Sequence, residues 1–303
     1  MTPRPGPSVR IDAHLHVWDL PRGPVDGRPA YPWLTPEHGE LYASFTPEQA
    51  KGELDAAGFD AAVLVQADDT MAETDHLLTV AAEHPWVAGV VGWIPLDDPP
   101  AAAGALDRLA ENRRLVGVRH LVHNDPRDDF LALPAVRESL AMLAGRDLTF
   151  DVPDAWPRHL DAAADLAAAL PDLTIVIDHL GKPPRGSEDF GAWHRSISRA
   201  AALPNVAAKV SGLRMPGTPF DVGALDDTWS AALEAFGPRR LMYGGDWPMV
   251  VPDGGYAPTW HVMSELIHRL PASDAALLLG GTAARIYRLD TAKYCRREPG
   301  RLQ

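Results

Sequence analysis

The sequence predicts an α/β fold, a (β/α)8 barrel of the TIM type, on three observations. Eight short apolar runs recur along the chain, helical patterns fill most of the gaps between them, and polar residues collect late in the runs. Short, nearly continuous apolar runs that alternate with helices indicate a parallel sheet covered on its outer face. Eight such units are enough to close a barrel. The alternative is an open doubly wound sheet, but its phosphate-binding signature G-x-G-x-x-G is absent, and no nucleotide cofactor is expected.

The first run is "RIDAHLHV" at 10–17. Alternation along a strand sends Asp12, His14 and His16 to one face and Ile11, Ala13, Leu15 and Val17 to the other. The stretch from His16 to Thr46 is long for a strand-to-helix connection and holds "YPWL" at 31–34, which suits a lid over a barrel mouth. A helix then starts at a capping box of Thr46 and Gln49, with Pro47 in the first helical position and Gly58 after the end. The remaining runs lie at 61–66, 87–96, 115–122, 148–152, 173–180, 206–213 and 241–247. Helical patterns fit 71–84, 99–112, 134–145, 157–170, 187–202, 225–236 and 258–270.

His14 and His16 end the first run, Arg119 and His120 the fourth, Asp178 and His179 the sixth, Lys209 and Ser211 the seventh, and Asp246 the eighth. The C-terminal strand ends of a barrel converge on one mouth, where active sites are built. Asp246 in "GGDWP" reads as a catalytic residue, with a turn former as the plain alternative, and His179 in "DHLGKP" reads the same way against a backbone-bonded histidine. Arg119 and Lys209 are either substrate contacts or ion pairs at the mouth. His120 and Asp178 have the opposite strand parity to Arg119 and His179 and are expected to face the helices, with His123 and Asp151 as loop and structural residues. Trp18, Trp33, Trp93 and Trp247 lie near strand ends or in the first loop, and of these Trp247 is taken as a substrate contact.

Composition narrows the function classes. A net charge of −13, from 41 acidic and 28 basic residues, opposes a polyanionic partner, so no nucleic acid is expected. No apolar run approaches the roughly 20 residues of a membrane span, and the N-terminus lacks the apolar core of a signal peptide. The single cysteine, Cys295, allows no internal disulfide and suits a reducing compartment such as the cytoplasm. Prolines and glycines are spread along the chain, with no linker or internal repeat, so 10–289 reads as one barrel domain between a flexible tail at 1–9 and a tail at 290–303. There is no serine in G-x-S-x-G and no P-loop, and Cys295 lies in the tail, which removes serine-hydrolase, P-loop and cysteine-nucleophile chemistries.

The segments "IDAHLHVWD", "YPWL", "GVRHLVH", "DHLGKP", "KVSGL", "RLMYGGDWP" and "GGTAARIYRL", in this order over about residues 10–289, resemble the amidohydrolase-related family of metal-dependent-hydrolase barrels. Within it they are most similar to the L-fuconolactonase and aldonolactonase-like branch. The resemblance implies a distorted barrel that opens the ester bond of a small sugar-acid lactone. It matches the family's first-strand histidines to His14 and His16, the sixth-strand histidine to His179 and the eighth-strand aspartate to Asp246. Two departures stand out: "LTFDVPD" carries no fifth-strand histidine, and the fourth strand has neither the lysine nor the glutamate that bridges two metals in binuclear relatives.

The implied metal site is therefore His14, His16 and Asp246 with at most one divalent ion such as Zn²⁺, whose requirement stays open. In this reading Asp246 is the general base, while His14, His16 and His179 polarise the carbonyl directly or through the ion. Arg119 and Lys209 hold a hydroxyl or carboxylate of the substrate, and Trp247 packs on its ring. The branch more usually has serine where Gly245 stands, and "VPDAWPRHL" departs from its usual loop; both put the identity of the lactone in doubt. Two alternatives stay open: a zinc-dependent decarboxylase or hydratase of a small organic acid, and a non-catalytic barrel that binds sugar acids. Nothing in the sequence assigns an oligomeric state.

Overall fold

Eight parallel strands form one sheet in strict sequence order. They are β1 (Ile11–Leu15), β2 (Ala61–Val65), β3 (Val87–Gly92), β4 (Leu115–Arg119), β5 (Thr149–Val152), β6 (Ile175–Ile177), β7 (Val206–Val210) and β8 (Leu241–Tyr243). This computed structural model describes residues 9–20, 27 and 29–294; most of the expected N-terminal tail, and Cys295 with the rest of the expected C-terminal tail, lie outside the described residues. Seven apolar runs overshoot their strands at the C-terminal end, most of all the third and eighth, because their last residues leave the sheet and turn into the mouth.

Helices α1 (Pro47–Ala57), α2 (Met71–Glu83), α3 (Pro99–Leu109), α4 (Pro134–Ala144), α5 (Leu160–Ala169), α6 (Phe190–Ala201), α7 (Val222–Phe236) and α8 (Tyr256–Ile267) occupy the eight expected places. The start of α1 is set as its sequence predicts: the Thr46 hydroxyl accepts from the Gln49 amide, the Gln49 side chain accepts from the Thr46 amide, and Gly58 adopts φ 77°. Beyond α8 the chain forms α9 (Ala272–Ala276), a π turn and α10 (Thr282–Ile286), which bring Ala283 and Tyr287 against a buried cluster that includes Ile11, Ala13, Val63, Val176, Ala207 and Met242. A cluster drawn from so many strands fills the barrel interior at its lower end. The larger core lies between sheet and helices. Ala292–Tyr294 add a single turn, and the Tyr294 hydroxyl donates to the Pro85 carbonyl at 2.9 Å. No helix among the described residues is long and apolar enough to cross a membrane.

The barrel closes unevenly between β8 and β1. Two backbone bonds join the strands at the mouth, from the Asp246 amide to the His14 carbonyl (2.9 Å) and from the His16 amide to the Trp247 carbonyl (2.8 Å). Deeper in the seam the Asp12 carboxylate takes the place of a peptide, accepting from the Gly245 amide at 2.9 Å and the Tyr256 hydroxyl at 2.6 Å. Asp12 thus points toward α8, not along with His14 and His16 as simple alternation predicts. The pairing register with β2 shifts between Asp12 and Leu15, and such a bulge resets which face each side chain takes. Burial raises the Asp12 pKa from 3.8 to about 7.

Gly245 belongs to this seam. A Cβ there would stand 2.1 Å from the Tyr256 ring, so the tyrosine occupies the space that a serine side chain would need. Gly245→Ser should therefore lower stability by about 1–3 kcal/mol through over-packing, and combining it with Tyr256→Leu should recover at least part of the loss. Urea unfolding of the wild type, both single variants and the double variant measures the coupling. Strict additivity would show that the two positions do not share space.

Candidate active site

The C-terminal mouth holds a cavity of about 300 Å³. His16, Arg119, His179 and Asp246 line it from the strand ends, Trp18 and Trp33 from the first loop, and His123, Asp154 and Lys182 from the loops after β4, β5 and β6. The first loop is anchored over this mouth. Trp18 and Phe45 exchange backbone hydrogen bonds, the Tyr31 hydroxyl donates to Glu73 at 2.7 Å, and the Trp33 indole donates to the Ala67 carbonyl at 2.6 Å.

Four of the residues singled out in the sequence meet at the floor of this cavity. His16 donates from Nδ1 to the Val65 carbonyl at 2.7 Å, which leaves its Nε2 with a lone pair 3.2 Å from Nε2 of His14. Asp246 presents Oδ1 at 3.7, 3.6 and 3.9 Å from Nε2 of His14, His16 and His179, and this buried oxygen has no hydrogen-bond partner. Asp246 and His179 reach the cluster from left-handed backbone, at φ 53° and 56°. His179 also shares a 2.9 Å hydrogen bond with the Ser211 hydroxyl. Gly212 makes room for both, because a Cβ there would lie 2.4 Å from Nδ1 of His179 and 2.7 Å from Oδ2 of Asp246.

The electrostatics separate these groups. Burial lowers the pKa of His14 well below 6.5, and that of His16 as well, so both imidazoles are neutral near pH 7. Burial opposes ionisation of Asp246, but His179, His16 and His14 around it hold the carboxyl below its usual range. The floor thus sets a carboxylate beside the neutral imidazoles of His14 and His16. Beneath it lies a fully buried ion network. Lys209 Nζ stands 2.7 Å from Asp151, 3.0 Å from Asp178 and 3.1 Å from Nδ1 of His14. Arg119 donates from Nη1 to Asp178 at 3.2 Å and from Nη2 to the Gln66 carbonyl, while its buried Nε has no partner. The Tyr287 hydroxyl closes the network from below on Asp151 at 2.5 Å.

Several expectations are corrected by this geometry. Lys209 is not a substrate contact, since its ammonium is spent between two carboxylates and a histidine below the cavity. Trp247 does not line the cavity either; it is buried edge-on against Phe45 at 5.3 Å between ring centres, and Trp18 and Trp33 are the indoles that face the cavity. Asp178 points inward, not toward the helices, because β6 ends at Ile177 and the left-handed residues His179 and Leu180 break the alternation. His123 lines the cavity, and Gly245 does not. His120 does turn away, stacked on Phe130 and bonded to Asp125 at 3.0 Å. Asp154 and Lys182 were missed altogether, since they lie in loops where neither periodicity nor strand parity gives a signal.

His14, His16 and Asp246 also form a candidate metal site, with ligand atoms all within 4.8 Å of one another. The orphaned Asp246 oxygen and the His16 lone pair suit a single divalent ion with three protein ligands and an open position. Lys209 works against tight binding. Its ammonium at His14 Nδ1 favours a proton on Nε2, and that proton must leave before the nitrogen can ligate. A second group, His14, Asp178 and His179, spends its carboxylate on Arg119 and Lys209.

Residues 11–289 match the model of the family described as Amidohydrolase. Among curated proteins, an L-fucono-1,5-lactonase of Burkholderia ambifaria is 34% identical over 93% of this chain and 97% of its own. An L-fucono-1,5-lactonase of Burkholderia multivorans is 31% identical with the same shares. Among solved structures, an amidohydrolase from Burkholderia multivorans with bound zinc superposes with a TM-score of 0.82 at 31% identity, over 93% of this chain and all of the other.

The buried network gives a direct test. Lys209→Met leaves Asp151 and Asp178 without their ammonium, which should cost about 3–5 kcal/mol at pH 7. Loss of the cation raises both carboxyl pKa values in the folded state, so the deficit should shrink as the pH falls and the carboxyls take up protons. Denaturant unfolding at two pH values checks both parts. A small deficit, or one independent of pH, would contradict the role given to Lys209.

Proposed function

We propose, from the premise that this chain belongs to the amidohydrolase family, that it is a hydrolase that opens the ester bond of a small sugar-acid lactone. One observation of the site carries the reading: an ionised aspartate, with one oxygen free of partners, faces a cavity beside the neutral imidazoles of His14 and His16, the His179 ring and an arginine whose Nε is unpaired. Ring opening needs those parts. It requires a proton acceptor for water, donors for the developing oxyanion and a proton for the leaving alkoxide.

In the proposed sequence Asp246 orients a water molecule toward the lactone carbonyl carbon and takes its proton as the new C–O bond forms. His179 and Arg119 Nε face the carbonyl oxygen as it gains charge. When the ring C–O bond breaks, the Asp246 carboxyl returns the proton to the departing alkoxide, and the hydroxy acid leaves as its carboxylate with one proton released to solvent. The histidines that keep Asp246 ionised also make it a modest base, so much of the rate must come from positioning the water and stabilising the oxyanion. A divalent ion bound by His14, His16 and Asp246 would supply Lewis-acid polarisation and lower the pKa of a bound water.

A panel of sugar-acid lactones in weakly buffered indicator dye tests the activity, since each opened ring releases a proton. At least one should open well above the buffer rate, and a folded protein that opens none would refute the reading. Asp246→Asn keeps the shape but cannot accept the proton, so kcat should fall by about 10² to 10⁴. Wild-type turnover in a folded variant would remove Asp246 from the chemistry. With three ligands and a competing ammonium at His14, the site should hold an ion only moderately, and dialysis against a chelator should leave a substantial share of the activity. Complete loss reversed by Zn²⁺ would make the ion obligatory.

A further inference from the structure

The part of the mouth beyond Asp246 has its own chemistry. Asp154 and Lys182 follow β5 and β6 and both adopt left-handed backbone, at φ 42° and 66°. Such conformations are uncommon outside glycine and are held where the surroundings demand a particular side-chain direction. Asp154 Oδ1 is buried with no hydrogen-bond partner, and Lys182 Nζ stands 3.7 Å from it, too far to bond directly. His123, on the loop after β4, also keeps a buried Nδ1 without a partner, and burial lowers its pKa to about 4, so the ring is neutral.

An acceptor, a donor and a neutral imidazole therefore line one side of the cavity with bonds to give. Trp18 and Trp33 line it from the loop after β1, which lies across an eight-stranded barrel from β5. The formal charges of the lining balance, with Arg119 and Lys182 against Asp154 and Asp246. We propose that Asp154, Lys182 and His123 form a hydroxyl-reading subsite, and that the substrate is a neutral, polyhydroxylated lactone and not one that carries a carboxylate.

The inference rests on the lactonase reading and deepens it. A hydroxyl both donates and accepts, so one set between Asp154 and Lys182 satisfies the two at once, and an adjacent hydroxyl can reach His123. A carboxylate placed there could accept from Lys182 but would meet the charge of Asp154 with no proton to offer it. An indole face across the cavity suits the apolar face of the same ring.

The test compares kcat/KM for L-fucono-1,5-lactone or gluconolactone, whichever the wild type opens faster, with that for δ-valerolactone, which has no hydroxyls. In Asp154→Ala and in Lys182→Met the preference for the sugar lactone should fall at least about tenfold, mainly through a higher KM for the sugar lactone. Lys182 is partly exposed, so its variant keeps the test valid should the Asp154 variant fail to fold. An unchanged preference and an unchanged KM in a folded Lys182→Met, or a wild type that prefers a carboxylate-bearing lactone, would overturn the subsite and leave the lactonase reading standing. A wild type that opens no lactone at all would overturn both.

Discussion

The charge on Lys209 has to be neutralised inside the barrel, and much of the site follows from how that is done. Its ammonium is fully buried, and isolating such a charge would cost several kcal/mol, so Asp151 and Asp178 must stand beside it. Two carboxylates need more than one cation. Arg119 supplies the second, and the Tyr287 hydroxyl satisfies a remaining oxygen from below. Three central strands, the turn after β6 and the segment after α10 are thereby tied into one polar knot between the apolar lower barrel and the mouth. Each member has to be present for the others to be tolerated, which makes the knot a constraint on register as well as a platform for the histidines above it.

That platform sets the protonation states at the mouth. His14 touches Lys209 on one side and His16 on the other, is fully buried, and so stays neutral. Asp246 lies a layer higher, among ring nitrogens and beside the cavity, and stays ionised. An ionised carboxylate within 4 Å of neutral imidazoles gives the mouth groups able to accept a proton from water near neutral pH. The seam between β8 and β1 then fixes their relative position, since the amides of Asp246 and His16 bond across it.

The fold was legible because burial on both faces of a parallel strand leaves a continuous apolar run, and eight such runs with capped helices between them admit few other arrangements. His14, His16, His179 and Asp246 were legible because they sit late in strands that must converge. Depth was not. Lys209 and Asp246 look alike in sequence as charged residues late in strands, yet one lies beneath the floor and the other on it. Parity failed at Asp12 and Asp178, where a bulge and a left-handed turn interrupt the two-residue repeat. The loop residues Asp154 and Lys182 carry no periodic signal, and their proposed role depends on left-handed backbone conformations that only the three-dimensional structure displays.

In the proposed reading chemistry and selectivity come from different parts of the barrel: Asp246 and the histidines from strand ends over the buried knot, the polar wall and the indoles from loops around the mouth. The most direct test of this arrangement is a crystal structure with the ring-opened sugar acid bound. The account predicts the product carboxylate among Arg119 Nε, His179 and Asp246, with the hydroxyl-bearing chain directed toward Asp154 and Lys182. A product bound outside this cavity, or inside it with its carboxylate remote from Asp246, would contradict the account.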